Sequence, residues 1–318
     1  MLFLSISAFA QDIQLSQPYV SPLYLSPSYA GSTDGSRLVT NYRNQWSNYT
    51  TYLVSYDHYF SSAKSGLGLI LIKDMPGNSA INTSYIGLQY SYAIPINRFW
   101  EVRPALQATY VNSFYDYSKF TFKEQLVFGN KDISTENTYK ENVSFFDASA
   151  GLLVYSGKIW AGVSVDHLLM PNIAVDDNKS VLPLKFVVFG GKKFELAKTG
   201  FGLFKSQVIT LTCLYKQQQK FRQLDAGFYW QYKQITAGAW YRGLPFLKSA
   251  GISNSDALIL MMGYNFKGFK IAYSFDMTLS KLQGYSGNAH EVSLVFEFLQ
   301  NQALKKKRFN KAIPSPKF

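Results

Sequence analysis

The sequence predicts an all-β protein: a transmembrane antiparallel β-barrel of about fourteen strands, of the outer-membrane type. Three observations predict it. Near the end of the chain, Ile271, Tyr273, Phe275, Met277 and Leu279 alternate with Lys270, Ala272, Ser274, Asp276 and Thr278. After a polar loop, Val292, Leu294, Phe296 and Phe298 alternate with Glu291, Ser293, Val295 and Glu297. A period of two gives a strand one apolar and one polar face, which suits a wall with lipid outside and polar groups inside. Second, no interval approaches eighteen uninterrupted apolar residues, and no 3.6-residue period persists. A membrane protein without spanning helices must close its sheet, because lipid cannot hydrogen-bond an open edge. Third, the connections fall into a short set and a long set that alternate along the chain, the arrangement of outer-membrane barrels.

Taken in order, the chain opens with MLFLSISAFA, whose Ala8 and Ala10 form an A-x-A cleavage pattern. Residues 1–10 are read as a short signal peptide, leaving Gln11 as the first mature residue and no cysteine for a lipid anchor. Residues 11–36 do not alternate. Pro18, Pro22 and Pro27 cannot donate to a ladder, so this is an irregular segment, placed in the lumen or at the periplasmic mouth. Its recurring Tyr19, Leu23, Tyr24, Leu25 and Tyr29 imply that it packs on something.

The barrel is assigned to 37–298, with strands at 37–45, 49–60, 65–73, 82–94, 99–115, 144–155, 158–167, 183–194, 205–216, 221–232, 235–242, 256–266, 269–279 and 289–298. The short connections are 61–64, 95–98, 156–157, 233–234 and 267–268, with 196–204 a longer member; they are read as periplasmic. The long ones are 116–143, 168–182, 243–255 and 280–288. An even count then puts both termini in the periplasm. Residues 299–318 form a basic periplasmic tail.

Composition agrees with this reading. The aromatic fraction is 17%, with 23 Tyr and 25 Phe, and clusters such as Tyr49, Tyr52, Tyr56, Tyr59 and Phe60 lie where interfacial girdles are expected. A soluble sandwich or propeller also gives many short strands, with the aromatics as core. The net charge is +12, yet the only dense basic run is Lys305, Lys306, Lys307 and Arg308, and no recognition motif accompanies it; nucleic acid is not an expected partner.

The ordered blocks QLSQPYVSPLYLSPSYAGS, YRNQW at 42–46, SYDHYF at 55–60, WYRGLPF at 240–246, DALILMMGYNFKGFKIAYSFDMTLSKL at 256–282 and AHEVSLVF at 289–296 resemble the PorP/SprF family, outer-membrane proteins of the Bacteroidetes type IX secretion system. In the first block Gln17, Pro22, Leu23, Pro27, Ala30 and Gly31 fit the family opening, while Ser26 and Ser28 replace its common Asn and Ala. The resemblance implies an accessory of the secretion and gliding machinery. Its expected partners are outer-membrane lipid, a large exported adhesin with a C-terminal secretion domain, and the periplasmic ring or other secretion components. A passive or ligand-selective channel for small solutes or lipids is the second expectation.

No enzyme is expected, since nucleophile-elbow, P-loop and Cys/His ligand patterns are missing. Catalytic, cofactor and metal residues are therefore none. His290 and Glu291 are strand neighbours and point to opposite faces. Asp176 and Asp177 read as a solvated loop, and Cys213 as a wall residue. Asp57, Asp147, Asp166, Asp225 and Asp276 are costly toward lipid and should face inward, with Lys185, Arg103 and Arg222 as partners. The candidate partner-binding residues are Phe120, Phe122, Leu126 and Phe128 in one long loop, and Leu244, Phe246 and Leu247 in another. Lys305, Lys306, Lys307 and Arg308 are candidates for docking on periplasmic components or lipid headgroups.

Overall fold

The computed structural model describes residues 12–33, 35–46, 48–77, 79–120, 140–175, 179–196, 207–249, 252–279 and 287–299, leaving aside the side chains of 244–249 and 252–256. Period-two segments become strands β1 (Gly35–Gln45), β2 (Tyr49–Phe60), β3 (Ser65–Met75), β4 (Ile81–Tyr92), β5 (Ile94–Pro95), β6 (Glu101–Tyr115), β7 (Asn142–Tyr155) and β8 (Ile159–Asp166). They continue as β9 (Lys185–Glu195), β10 (Gln207–Gln218), β11 (Phe221–Tyr232), β12 (Ile235–Ser249), β13 (Ile252–Phe266), β14 (Phe269–Thr278) and β15 (Ala289–Leu299). All pairings are antiparallel. β5 continues β4 past Ala93, so the wall has fourteen staves. β1 pairs with β15 from Gly35↔Leu299 to Gln45↔Ala289, which closes the cylinder and removes the exposed edge that lipid would penalise.

The faces follow the alternation. In β14, Lys270, Ala272, Ser274 and Asp276 are buried while Ile271 and Tyr273 are exposed. In β2, Leu53, Ser55, Asp57 and Tyr59 point in, and Tyr52, Val54, Tyr56 and Phe60 point out. Register pairs the outward Val54, Leu71, Ile86, Tyr110 and Phe146 in turn, a row inclined to the membrane by the strand tilt. In the next outward row toward the rim, Lys73, Ser84, Asn112 and Ser144 are polar. From Tyr52 to Phe60 the strand runs about 26 Å at ~3.3 Å per residue. Tilted by roughly 40°, that gives an apolar band about 20 Å tall, close to the height expected in a bilayer.

Four connections at one rim are tight: 61–64, 156–158, 233–234 and 267–268. Lys267 (φ 42°) and Gly268 (φ 92°) form a two-residue turn that needs left-handed backbone at both positions. At the other rim sit the connections containing 116–141, 167–184 and 279–288. The expected long loop at 243–255 is instead strand: β12 runs to Ser249 and β13 starts at Ile252. Gly243, at φ 136°, and register shifts at Arg242/Gly243 and Leu244/Lys248 absorb the Gly-Leu-Pro that reads as a breaker.

The lumen is filled. Residues 12–33 run inside the wall as two short helical turns, Pro22–Leu25 and Pro27–Tyr29, each with proline at its start where the missing N–H costs nothing. Leu23, Tyr29, Ala30, Gln17 and Ser28 are all at most 2% exposed. Not every aromatic faces lipid. Trp160, Phe189, Tyr229 and Trp240 point inward and pack this segment; Tyr19 lies 5.7 Å from the Trp160 ring and 5.9 Å from that of Trp240.

Candidate functional site

Three polar clasps tie the inner segment to the wall. At the tight-turn rim, Arg37 pairs with Asp57 at 2.8 and 3.1 Å, and Asp57 accepts the main-chain N–H of Gly31 at 2.9 Å. Arg103 donates to the Gly31 carbonyl at 3.0 Å and stacks over Tyr59. Gly31 has φ +62° and packs against Gly66, where a side chain on either residue would strike backbone.

Half-way up, Glu291 is fully buried and accepts the Ser16 N–H at 2.6 Å, the Gln17 N–H at 3.2 Å and the Asn41 amide at 2.7 Å. Arg43 bridges Glu291 and Asp276 at 3.3 and 3.1 Å, and Arg242 reaches Asp276 at 3.2 Å and the Leu15 carbonyl at 3.3 Å. Arg242 also lies 3.9 Å from the buried Asp225, so two arginines face three acids and each acid has a cationic partner, the condition under which buried ions persist.

The third clasp lies at the long-loop rim. His167 Nδ1 is 2.6 Å from Asp147 and Nε2 is 3.0 Å from Asp12, while Lys185 reaches Asp12 at 2.8 Å and Asp166 at 3.3 Å. Burial disfavours the imidazolium, but hydrogen bonds to Asp12 and Asp147 outweigh it and push His167 up to about 9. Burial likewise raises Asp12, and Lys185 and His167 outweigh it, holding the carboxyl well below the usual range. The even strand count puts the two ends of the wall at one rim. The inner segment, however, runs back through the lumen, so that Asp12 lies at the opposite rim.

Above the segment, at the long-loop rim, a vestibule of about 340 Å³ remains. Tyr24, Tyr49, Tyr85 and Phe145 line it beside Ile72, Val143 and Leu182, with His167, Asp147 and Lys185 on one side.

The structure places the anticipated inward acids as follows. Asp57, Asp147, Asp166, Asp225 and Asp276 all lie on the inner face, and Lys185 and Arg103 join them. Arg222 does not: it is exposed, because Gln223 and Asp225 take the inward positions of β11. The arginines that do serve are Arg37, Arg43 and Arg242, and strand parity at Arg43 and Arg242 was the signal that would have found them. His290 points out to the Tyr273 hydroxyl at 2.7 Å while Glu291 points in. Cys213 is on the outer face.

Among the partner-binding candidates, Phe120 follows a 3-10 turn (Tyr117–Lys119) at the long-loop rim, its ring 5.8 Å from Tyr117. Phe122, Leu126 and Phe128 lie outside the described residues, as do Lys305, Lys306, Lys307, Arg308, Asp176 and Asp177. Leu244, Phe246 and Leu247 fall in the bulged end of β12, so they are strand rather than loop positions.

Among solved structures, the chain is similar to the Acinetobacter baumannii outer membrane protein Omp33 (8% identity, 84% of this chain, 100% of that one, TM-score 0.48). It is also similar to the P. putida toluene transporter TodX (10%, 91%, 95%, 0.47) and to the CymD monoaromatic hydrocarbon channel (11%, 90%, 94%, 0.44). Neither these scores nor these identities bear on what this chain binds. No curated protein matches significantly. The model of the family described as type IX secretion system membrane protein PorP/SprF matches residues 7–296. A closed outer-membrane barrel matched over nearly its whole length by that model is a member of the PorP/SprF family of type IX secretion membrane proteins.

Proposed function

We propose that this barrel is an outer-membrane accessory of the type IX secretion and gliding system that binds a large surface adhesin and helps to export or anchor it. The adhesin is one carrying a C-terminal secretion domain. The observation that carries the reading is the filled lumen: with Tyr19, Leu23 and Tyr29 packed between the walls, the barrel is no conduit for a polypeptide. A secretion component that does not conduct acts by holding something. The long-loop rim supplies the outward surface, from Phe120 through residues 121–139 and from Leu244, Phe246 and Leu247. The long-loop rim faces outward and the wall ends face the periplasm, where Lys305, Lys306, Lys307 and Arg308 meet ring components or headgroups. Deleting residues 120–128 tests the reading. Adhesin should leave the cell surface while the barrel keeps its heat-modifiable migration; adhesin that stays in place overturns it.

The second reading, a channel for small solutes or lipids, makes the opposite electrical prediction. The plugged barrel should be silent in planar bilayers, and steady conductance by the intact chain would favour the channel.

A further inference from the structure

The wall is not uniform. β6 and β7 pair along the whole of β7, from Glu101↔Tyr155 to Phe114↔Asn142. On its other side β7 pairs with β8 only from Ala150↔Val165 to Tyr155↔Trp160, because β8 stops at Asp166. The upper part of β7 therefore has a strand on one side only. Among the described residues, the main-chain bonds that cross to the following connection are Leu168 N–H to the Ala148 carbonyl and Lys140 N–H to the Val175 carbonyl. Between them lie the seven residues 141–147, and the eight steps from Lys140 to Ala148 span roughly 26 Å at ~3.3 Å each.

The level of this interval matters. Ala148 pairs with Ala108, and Phe146, two residues nearer the rim and 70% exposed, is the last outward apolar side chain of β7 before Ser144 and Asn142, so the interval begins at the upper edge of the apolar band. Leu168, Leu169 and Met170 are exposed beside it. His167 and Met170 hold left-handed backbone, φ 64° and 44°, where the chain leaves β8. Main-chain groups without a ladder are tolerated at membrane depth only where they meet protein or a cavity. Here the cavity is the vestibule, which Val143, Phe145 and Asp147 line from β7. Outside, an apolar groove of about 890 Å³ runs from Tyr56 across Leu69, Leu88 and Leu106 to Ala148 and Leu168. Groove and vestibule share Gln107 and Ser149 as lining, so they lie back to back across one layer of backbone.

The geometry points to a side portal at the end of β8, through which the acyl chain of a membrane amphiphile passes from the outer groove into the vestibule. The occupant follows from the medium: the groove is on the lipid face, and its walls are alkyl and aromatic. Inside, Ile72, Val143, Phe145 and Leu182 continue the apolar path. The rim clasp offers the polar end hydrogen-bond partners with close to balanced charge: Asp12, Asp147 and Asp166 against Lys185 and His167. This inference is independent of adhesin binding.

Palmitic acid carrying a mid-chain diazirine, added to the full chain in lipid vesicles and irradiated, reports where the chain goes. Mass spectrometry should find label on inward Val143, Phe145 or Leu182 as well as on outward Leu88 and Leu106. Ala148→Trp fills the outer mouth, and label inside should then fall to background while label on Leu69 persists. Leu168→Trp serves where Ala148→Trp loses heat-modifiable migration. Label confined to outward residues overturns the portal. So does inner label that survives both tryptophans, which means entry from the open rim.

Discussion

Gly66 and Ala30 meet backbone to backbone: a Cβ on Gly66 would overlap the Ala30 carbonyl, which also accepts the Ser91 hydroxyl at 2.7 Å. The contact fixes the inner segment where it turns into β1. Gly66→Ala should lower the unfolding free energy by about 1–3 kcal/mol through overpacking. The check is the denaturant midpoint of heat-modifiable migration, against Gly287→Ala as a control whose added Cβ would make only ordinary contacts, the nearest at 3.5 Å.

Asp57 depends on Arg37 in the same way that Gly31 depends on Asp57. Arg37→Met leaves the buried Asp57 carboxylate without its paired guanidinium, with only the Gly31 N–H and Arg103 to offset it, and should cost about 3 kcal/mol. Arg37→Met with Asp57→Asn should recover a large part of that loss. A double-mutant cycle in denaturant measures the coupling, and an additive result would remove the clasp from the account.

Tyr19 is the apolar anchor, with Trp160 and Trp240 against its ring. Tyr19→Ala should destabilise by about 3–5 kcal/mol as a large-to-small change in a packed interior. It should also make the barrel conduct, since it removes the ring that packs between Trp160 and Trp240 inside the wall. Planar-bilayer recording separates this from a change in stability alone.

The rim clasp is pH-dependent. His167 is raised from an ordinary 6.5 to about 9, so its contribution is full below about 6.5 and is lost as pH rises through about 9. Asp12 is lowered, so its contribution is present above the ordinary carboxylate range and is lost only as pH falls well below it. Amide exchange at residues 12–16 should therefore be slowest from about pH 4.5 to 6.5 and should speed up, beyond its intrinsic rise, toward pH 9. His167→Ala should abolish that alkaline acceleration. Unchanged pH dependence in His167→Ala would assign it elsewhere.

The wall was legible because lipid imposes a period of two on the whole chain. Ile271, Tyr273, Val292 and Leu294 could be sorted to the outside from spacing alone. The inner segment carries no period, so its contacts were not. Nothing local in Gln17 tells of Glu291, which lies 274 residues away in sequence. Arg222 was placed inside by its charge, yet Asp225 already sets the parity of β11, and an odd offset puts Arg222 outside. Gly243 and Pro245 read as a loop because bulges and breakers share residue types. Tyr59 read as girdle with Tyr56 and Phe60, yet it is buried on the inner face, because an aromatic near a strand end looks the same from either side of the wall.

The Glu291 carboxylate is shared. From β15 it grips Ser16 and Gln17 of the inner segment, and also Asn41 and Arg43 of β1. The final zipping of first stave to last thus uses the same acid that receives the leading peptide. Losing that one acid should therefore loosen the seam of the cylinder and release the leading peptide together.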